Sequence, residues 1–268
     1  MLLNLLVLSG TLLGSPTDTP PDGATAPDPS DPTRTDARLG AGYKYTGYTG
    51  GPHMNEVRLK AGLITGSKGI FIADIGVGSL QGAGESNDSG LTDGRFRYFG
   101  LGQMDRSKAY GYRGVGGSVE LQTQGQVRGT DGSNSLALGA LLAYGAGETL
   151  SFYPNLIGAG VWSKDLDDYL GLTLRADLIA SWKPEFGWPG SYLKLRPSYS
   201  HGVTDELEGS GDFYVEAALG GSLTEDRRWW WDLQWRKFYV DDLEDQTRGS
   251  NSELTPDWSL FFSVTLFT

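Results

Sequence analysis

The sequence predicts an all-β protein, a single antiparallel transmembrane β-barrel of about twelve strands, with ten to fourteen as the range the pattern allows. Three observations carry this expectation. From residue 37 onward, apolar and polar residues alternate over stretches near the ~9–11 residues that a tilted membrane strand requires. No apolar run reaches the ~18 residues of a membrane helix, and the longest candidate, Met1 to Gly14, is broken by Asn4, Ser9, Gly10 and Thr11. Long and short connections alternate between the strands.

Along the chain, residues 1–14 have the apolar core of a secretory signal peptide, without a preceding Lys or Arg and without an A-x-A cleavage site. Residues 15–36 mix six of the twelve prolines with Asp and Thr and read as a disordered linker. The barrel is expected over residues 37–268. Its strand centres fall near Gly42, Leu59, Ala73, Phe99, Val119, Ala140, Ile157, Ala176, Leu195, Ala217, Leu233 and Phe262. The clearest alternation is Leu170, Leu172, Leu174, Ala176, Leu178, Ala180 and Trp182 against Gly171, Thr173, Arg175, Asp177, Ile179 and Ser181. One face is apolar while the other carries charge in mid-strand, a separation that a helix would scramble. Val57 to Leu63, Phe213 to Leu219, Trp229 to Trp235 and Trp258 to Leu266 repeat it. Phe99 and Ile157 lie in poorly alternating stretches and Pro154 would interrupt a central strand, so the strand number carries a range. Loops around Gly51, Ser89, Asp131, Asp167, Leu207 and Gly249 follow the odd strands. Shorter turns, such as Thr65 to Lys68 and Thr224 to Arg227, follow the even ones.

Composition removes several function classes. Twenty-two Lys+Arg against 33 Asp+Glu leave a net charge of −11, the wrong sign for a nucleic-acid partner. With no cysteine, disulfide scaffolds, thiol catalysis and Cys-ligated zinc are excluded together. The 40 glycines lack a Gly-X-Y period, and 12% aromatic residues are too many for a disordered chain.

Alternation alone does not say which face is inside, because soluble barrels point their apolar residues inward. A dozen strands, however, enclose a lumen too wide to be filled by an apolar set this rich in Ala and Gly. The apolar face is therefore assigned to lipid and the polar face to a hydrated lumen. The aromatics agree with two interfacial girdles: Trp182, Trp188, Trp229 and Trp231 flank short turns, and Tyr43, Tyr45, Trp235, Tyr239 and Trp258 lie toward long loops. Inward parity then assigns Arg58, Lys60, Arg97, Arg175, Lys194, Arg196 and Arg236 to the lumen, with Glu56, Asp74, Glu120, Asp177, Glu216 and Asp232. Seven bases facing six acids permit either a polar channel crossed by a transverse field or a ladder of ion pairs that plugs it.

Over residues 37–268 this pattern resembles the Gram-negative outer-membrane β-barrel proteins. The resemblance implies short periplasmic turns, long external loops, and outer-membrane lipid and lipopolysaccharide as surroundings. In that family the last strand alternates and ends on an aromatic. Here Trp258, Leu260, Phe262, Val264 and Leu266 alternate, but Phe267 has the opposite parity and Thr268 follows it. Arg97-Tyr98-Phe99, Gly114-Val115-Gly116, Gly129-Thr130-Asp131-Gly132 and Leu136 to Gly139 are similar to a group of transport barrels linked to aromatic-compound degradation. The implied function is a channel or uptake protein for small polar or amphipathic solutes. A plugged structural or surface-interaction barrel stands beside it as the alternative.

Chemistry is sparse. His53 and His201 are the only imidazoles, and Ser200 beside His201 would point to the opposite face of a strand. The size and strand number also resemble outer-membrane phospholipases, but their His-x-Ser-Asn-Gly run is replaced by His201-Gly202-Val203-Thr204. Asp167-Asp168 with His201 imitates the acid pair and histidine of omptin-type proteases without their pattern. No G-x-S-x-G elbow or P-loop occurs, so no catalytic residue, metal or cofactor is expected. The acidic stretches Glu85, Asp88 and Asp93, Asp165 to Asp168, Asp205 to Asp212 and Asp241 to Asp245 lack EF-hand spacing and read as solvated loops.

Overall fold

The computed structural model describes residues 37–65, 69–82, 88–104, 110–125, 132–147, 149–184, 190–241 and 255–267. The signal-like segment, the linker, Trp188, Glu85, Gly129 to Asp131 and the acids after Asp241 lie outside the described residues. The strands are β1 (Arg38–Tyr48), β2 (His53–Thr65), β3 (Gly69–Gln81), β4 (Asp88–Met104), β5 (Tyr110–Gln124) and β6 (Ser133–Ala146). They continue as β7 (Leu150–Ser163), β8 (Tyr169–Trp182), β9 (Tyr192–Gly202), β10 (Gly211–Ser222), β11 (Trp229–Asp241) and β12 (Pro256–Phe267). Each pairs antiparallel with its chain neighbours, and β1 pairs with β12, from Arg38 opposite Phe267 to Tyr48 opposite Pro256, which closes the barrel. Each of the twelve expected centres falls within its own strand. Among the described residues the only helical element is a 3-10 turn, Asp205–Leu207, and no helix is long and apolar enough to cross a membrane.

The faces are inverted relative to a soluble protein. Every strand exposes a large apolar side chain, among them Leu59, Phe96, Leu121, Leu138, Leu156, Leu174 and Phe262, while Glu56, Glu120, Asp177, Ser181 and Ser198 are buried. An apolar belt that encircles the barrel far exceeds the few hundred Å² patch of a soluble monomer. It matches the lipid face of a membrane barrel, whose closed ladder leaves no backbone group unpaired in hydrocarbon.

Two bulges reset the alternation and correct the sequence reading. The β3–β4 register shifts at Gly76/Val77, opposite Asp93 and Leu91, which makes Thr92 the extra residue. Leu91 therefore faces outward together with Phe96 and Tyr98, although their parities differ, and Asp93 is an inward strand residue instead of a loop acid. At the second bulge, between Val161 and Trp162, Leu170 leaves the lipid face and packs against Val161 and Leu207. Pro154 is tolerated in β7 beside a gap in the β6–β7 ladder, between the pairs Leu141/Asn155 and Tyr144/Phe152.

The long and short connections differ less than expected. The first loop, residues 49–52, is tight because Gly50 and Gly51 adopt φ of +88° and +104°, whereas the connection over residues 183–191 is the longest on its side. The β10–β11 turn is fixed by Asp226, which accepts from Thr224 Oγ1 (2.5 Å) and the Arg228 amide (3.1 Å). The Thr224 bond first, then the amide, holds the Asp226 carboxyl below its usual range. This contribution to stability is present above the ordinary carboxylate pKa and is lost as pH falls through the lowered value.

Leu174 is exposed on the lipid face and Thr173 is buried inside. In lipid-refolded protein, Leu174→Arg should lower unfolding stability by roughly 2–4 kcal/mol, while Thr173→Ala should be mild. Equal losses in denaturant titrations would show that the facing is wrong.

Candidate functional site

Period-2 geometry brings inward side chains from non-adjacent strands to one level of the barrel. They surround a cavity of about 360 Å³ whose lining reaches the loop-side ends of the strands at Tyr48, Gln124 and Pro256. Of the thirteen charged residues assigned to the lumen by sequence, Glu56, Arg58, Lys60, Asp74, Glu120, Arg175, Arg196, Glu216 and Arg236 line this cavity. The other four bond to inward groups beside it. Arg97 pairs with Glu120, and Asp177 accepts from Arg196 at 2.6 Å. Lys194 lies 4.9 Å from the centre of the Tyr192 ring, and Asp232 accepts from the Tyr192 hydroxyl and the Gln234 amide.

Two clusters organise these charges. On β1 to β4, Arg58 is held by Glu56, Asp74 (3.0 Å) and Asp93 (2.7 Å), and Lys44 reaches Glu56 at 3.3 Å. Thr92, the bulge residue, donates to Glu56 at 2.8 Å. Gly76 makes this packing possible, because a Cβ there would stand 2.0 Å from Glu56 Oε1. The second cluster runs from β4 to β11. Glu120 takes Arg95 (2.6 Å), Arg97 and Arg175 (3.3 Å), while Asp177 takes Arg196 and, at 3.6 Å, Arg175. Arg236 pairs with Glu216 at 2.6 Å and lies 4.3 Å from the centre of the Tyr214 ring. Lys60 completes the circuit over Phe261 at 4.0 Å.

Sequence reasoning missed Lys44, Asp93 and Arg95. Asp93 and Arg95 share the parity of Arg97, and the available signal was to continue that alternation back to the Thr92 bulge, where the parity switches between Leu91 and the pair Phe96, Tyr98. Lys44 shares the inward parity of Arg38, Gly40, Gly42 and Thr46, so the alternation of β1 was itself the available signal.

Toward the short-turn end the lumen changes character. Phe99, Leu141, Ala143 and Tyr153 form a buried cluster with Ile72 and Ile179, and Tyr192, Trp230 and Phe267 form another. The opposite parity of Phe267 thus places the final aromatic inside the barrel instead of on its lipid face. None of these residues lines the charged cavity. Ser200 and His201 diverge: Ser200 is buried, and His201 is exposed and stacked on Tyr199. The described residues hold no cluster of three or more metal-ligating side chains.

No protein-family model matches the chain, and no curated protein matches it in sequence. Its backbone is similar to that of solved outer-membrane barrels. An outer-membrane channel from Pseudomonas putida F1 superposes with a TM-score of 0.59 at 11% identity, covering 94% of this chain and 100% of that one. The NanC porin gives 0.54 at 12% identity, covering 86% and 98%, and the KdgM porin, solved with oligogalacturonate, gives 0.50 at 8%, covering 85% and 98%. The fold is that of outer-membrane channel barrels.

Removing Arg58 would leave Glu56, Asp74 and Asp93 facing one another. Arg58→Ala should therefore cost about 3 kcal/mol of unfolding free energy in detergent. Gly76→Ala, which drives a methyl into the Glu56 carboxylate, should also be destabilising. A neutral result at both positions would mean that this cluster is not a structural brace.

Proposed function

We propose that the protein is an outer-membrane channel for uptake of small polar or amphipathic solutes, and that the charged lumen residues form its solute path. The observation that carries this reading is a charged, partly open cavity reaching the loop-side rim inside a wall that is apolar outside. Such a cavity serves no purpose in packing, whereas fixed charges around a narrow aqueous path set which solutes pass. On this reading the surrounding partners are membrane lipid and lipopolysaccharide, residues 1–14 direct export, and residues 15–36 are a linker. Catalysis has no place in it, because no nucleophile and base share a face at His201.

A second reading, a plugged barrel without transport, is favoured by one specific observation: the packed apolar clusters between the cavity and the short-turn end. Single-channel recording of the refolded protein separates the two. A channel should conduct, and Arg175→Ala should shift its reversal potential toward cations by removing a fixed positive charge from the path. Phe99→Ala combined with Tyr153→Ala should raise conductance if the apolar layer is the constriction. A silent wild type whose double variant leaks would establish the plugged barrel.

A further inference from the structure

The acids and bases of the second cluster are not equally placed. Four guanidinium groups, Arg95, Arg97, Arg175 and Arg196, share two carboxylates, Glu120 and Asp177. Adding the Arg236–Glu216 pair leaves the excess of two positive charges unchanged. The carboxylates are recessed, with side chains 3% and 2% exposed, behind Arg95, Arg175 and Arg196 at 26%, 21% and 17%. The cavity thus meets a wall of guanidinium, in a chain whose overall charge is −11. The Nε atoms of Arg95 and Arg196 are buried and have no hydrogen-bond partner. Asp74, the register partner of Arg95 on β3, and Asp93, two residues before it on β4, are engaged by Arg58 and mark the edge of this wall.

We propose that this arginine wall is a binding site for small organic carboxylates on their way through the lumen, a refinement that rests on the channel reading. The guanidinium fork matches a planar carboxylate, and Glu120 already shows the mode, since Arg95 and Arg97 use its Oε2 while Arg175 uses its Oε1. An incoming carboxylate supplies the negative charge that the cluster lacks.

The test is calorimetric titration of the full chain, refolded in detergent, with succinate, its neutral analogue succinamide and inorganic phosphate. Succinate should bind saturably, succinamide should not, and phosphate should bind more weakly. Arg95→Gln should weaken succinate about tenfold, the effect of losing one charge-assisted hydrogen bond. Glu120→Gln removes the resident competitor and should tighten it by a similar factor. If Arg95→Gln does not refold, Arg95→Lys should refold and bind at intermediate strength, since it keeps the charge without the fork. Absence of succinate binding to the wild type, equal binding of succinamide, tighter binding of phosphate, or indifference to both substitutions would overturn the proposal. Binding without conductance would refute the channel while leaving the carboxylate site standing; conductance without binding would do the reverse.

Discussion

Backbone amides and carbonyls have no partner in hydrocarbon, and each one left unpaired there costs several kcal/mol. The ladder between β1 and β12 removes the two edges that would otherwise face lipid, and the rest of the structure follows from that closure. Once the strands are locked into a ring, successive side chains must point alternately to lipid and to lumen. Polar residues in every strand then converge on one interior whether or not they are close in sequence. Residues as distant as Glu56 and Asp93, or Glu120 and Arg175, share arginines or carboxylates for this reason.

An interior populated in this way has to neutralise its carboxylates. A buried charge without a partner is strongly unfavourable, and a charge with several partners ties together the elements that carry them. Glu120 on β5 receives arginines from β4 and β8, and Arg175 reaches it across β6 and β7, whose inward residues Ala137, Gly139 and Ala159 are small. The missing side-chain volume on two strands is what admits a long side chain from a third. The same network therefore braces the wall and lines the cavity, so on the proposed channel reading stability and selectivity draw on the same residues.

The strand number and the facing of most residues were legible because period 2 is imposed by geometry and survives any substitution that keeps polarity. Leu172 to Trp182 could be read directly. What could not be read by strict counting was every place where the chain adds a residue. The Thr92 bulge put Leu91 on the lipid face out of step with Phe96, and the bulge near Leu170 turned one apolar residue inward; Asp93 and Arg95, in step with Arg97, were missed because the strand was begun too late. A bulge leaves a trace only if apolar residues stand on both sides of it with opposite parity, as Leu91 and Phe96 do. Partnership was also out of reach: sequence places Arg97, Glu120 and Arg175 on inner faces, but which carboxylate serves which arginine depends on register and on the small residues between them. The apolar clusters around Tyr153 and Trp230 had the same inward parity as the charges and were not distinguished from them.

The order of the two layers along the lumen has a physical consequence. Charged groups line the half nearer the loops, and the apolar clusters, with Asp232 and Lys194 against Tyr192, occupy the half nearer the turns. On the channel reading proposed above, a solute arriving from the loop side meets fixed charge while its own water is still available to be exchanged for guanidinium and carboxylate contacts. It meets the apolar layer only afterwards, where Asp232 and Lys194 stand beside Tyr192 and water is held less well than among the arginines. The charged layer can concentrate a solute directly above the constriction, so passage depends on the local occupancy created by the charges as much as on the width of the opening. Reversing the layers would place the barrier first and strand the charges behind it. If the barrel is the channel proposed here, the arrangement built from Arg95, Glu120 and Arg175 above Phe99 and Tyr153 puts selection before the barrier.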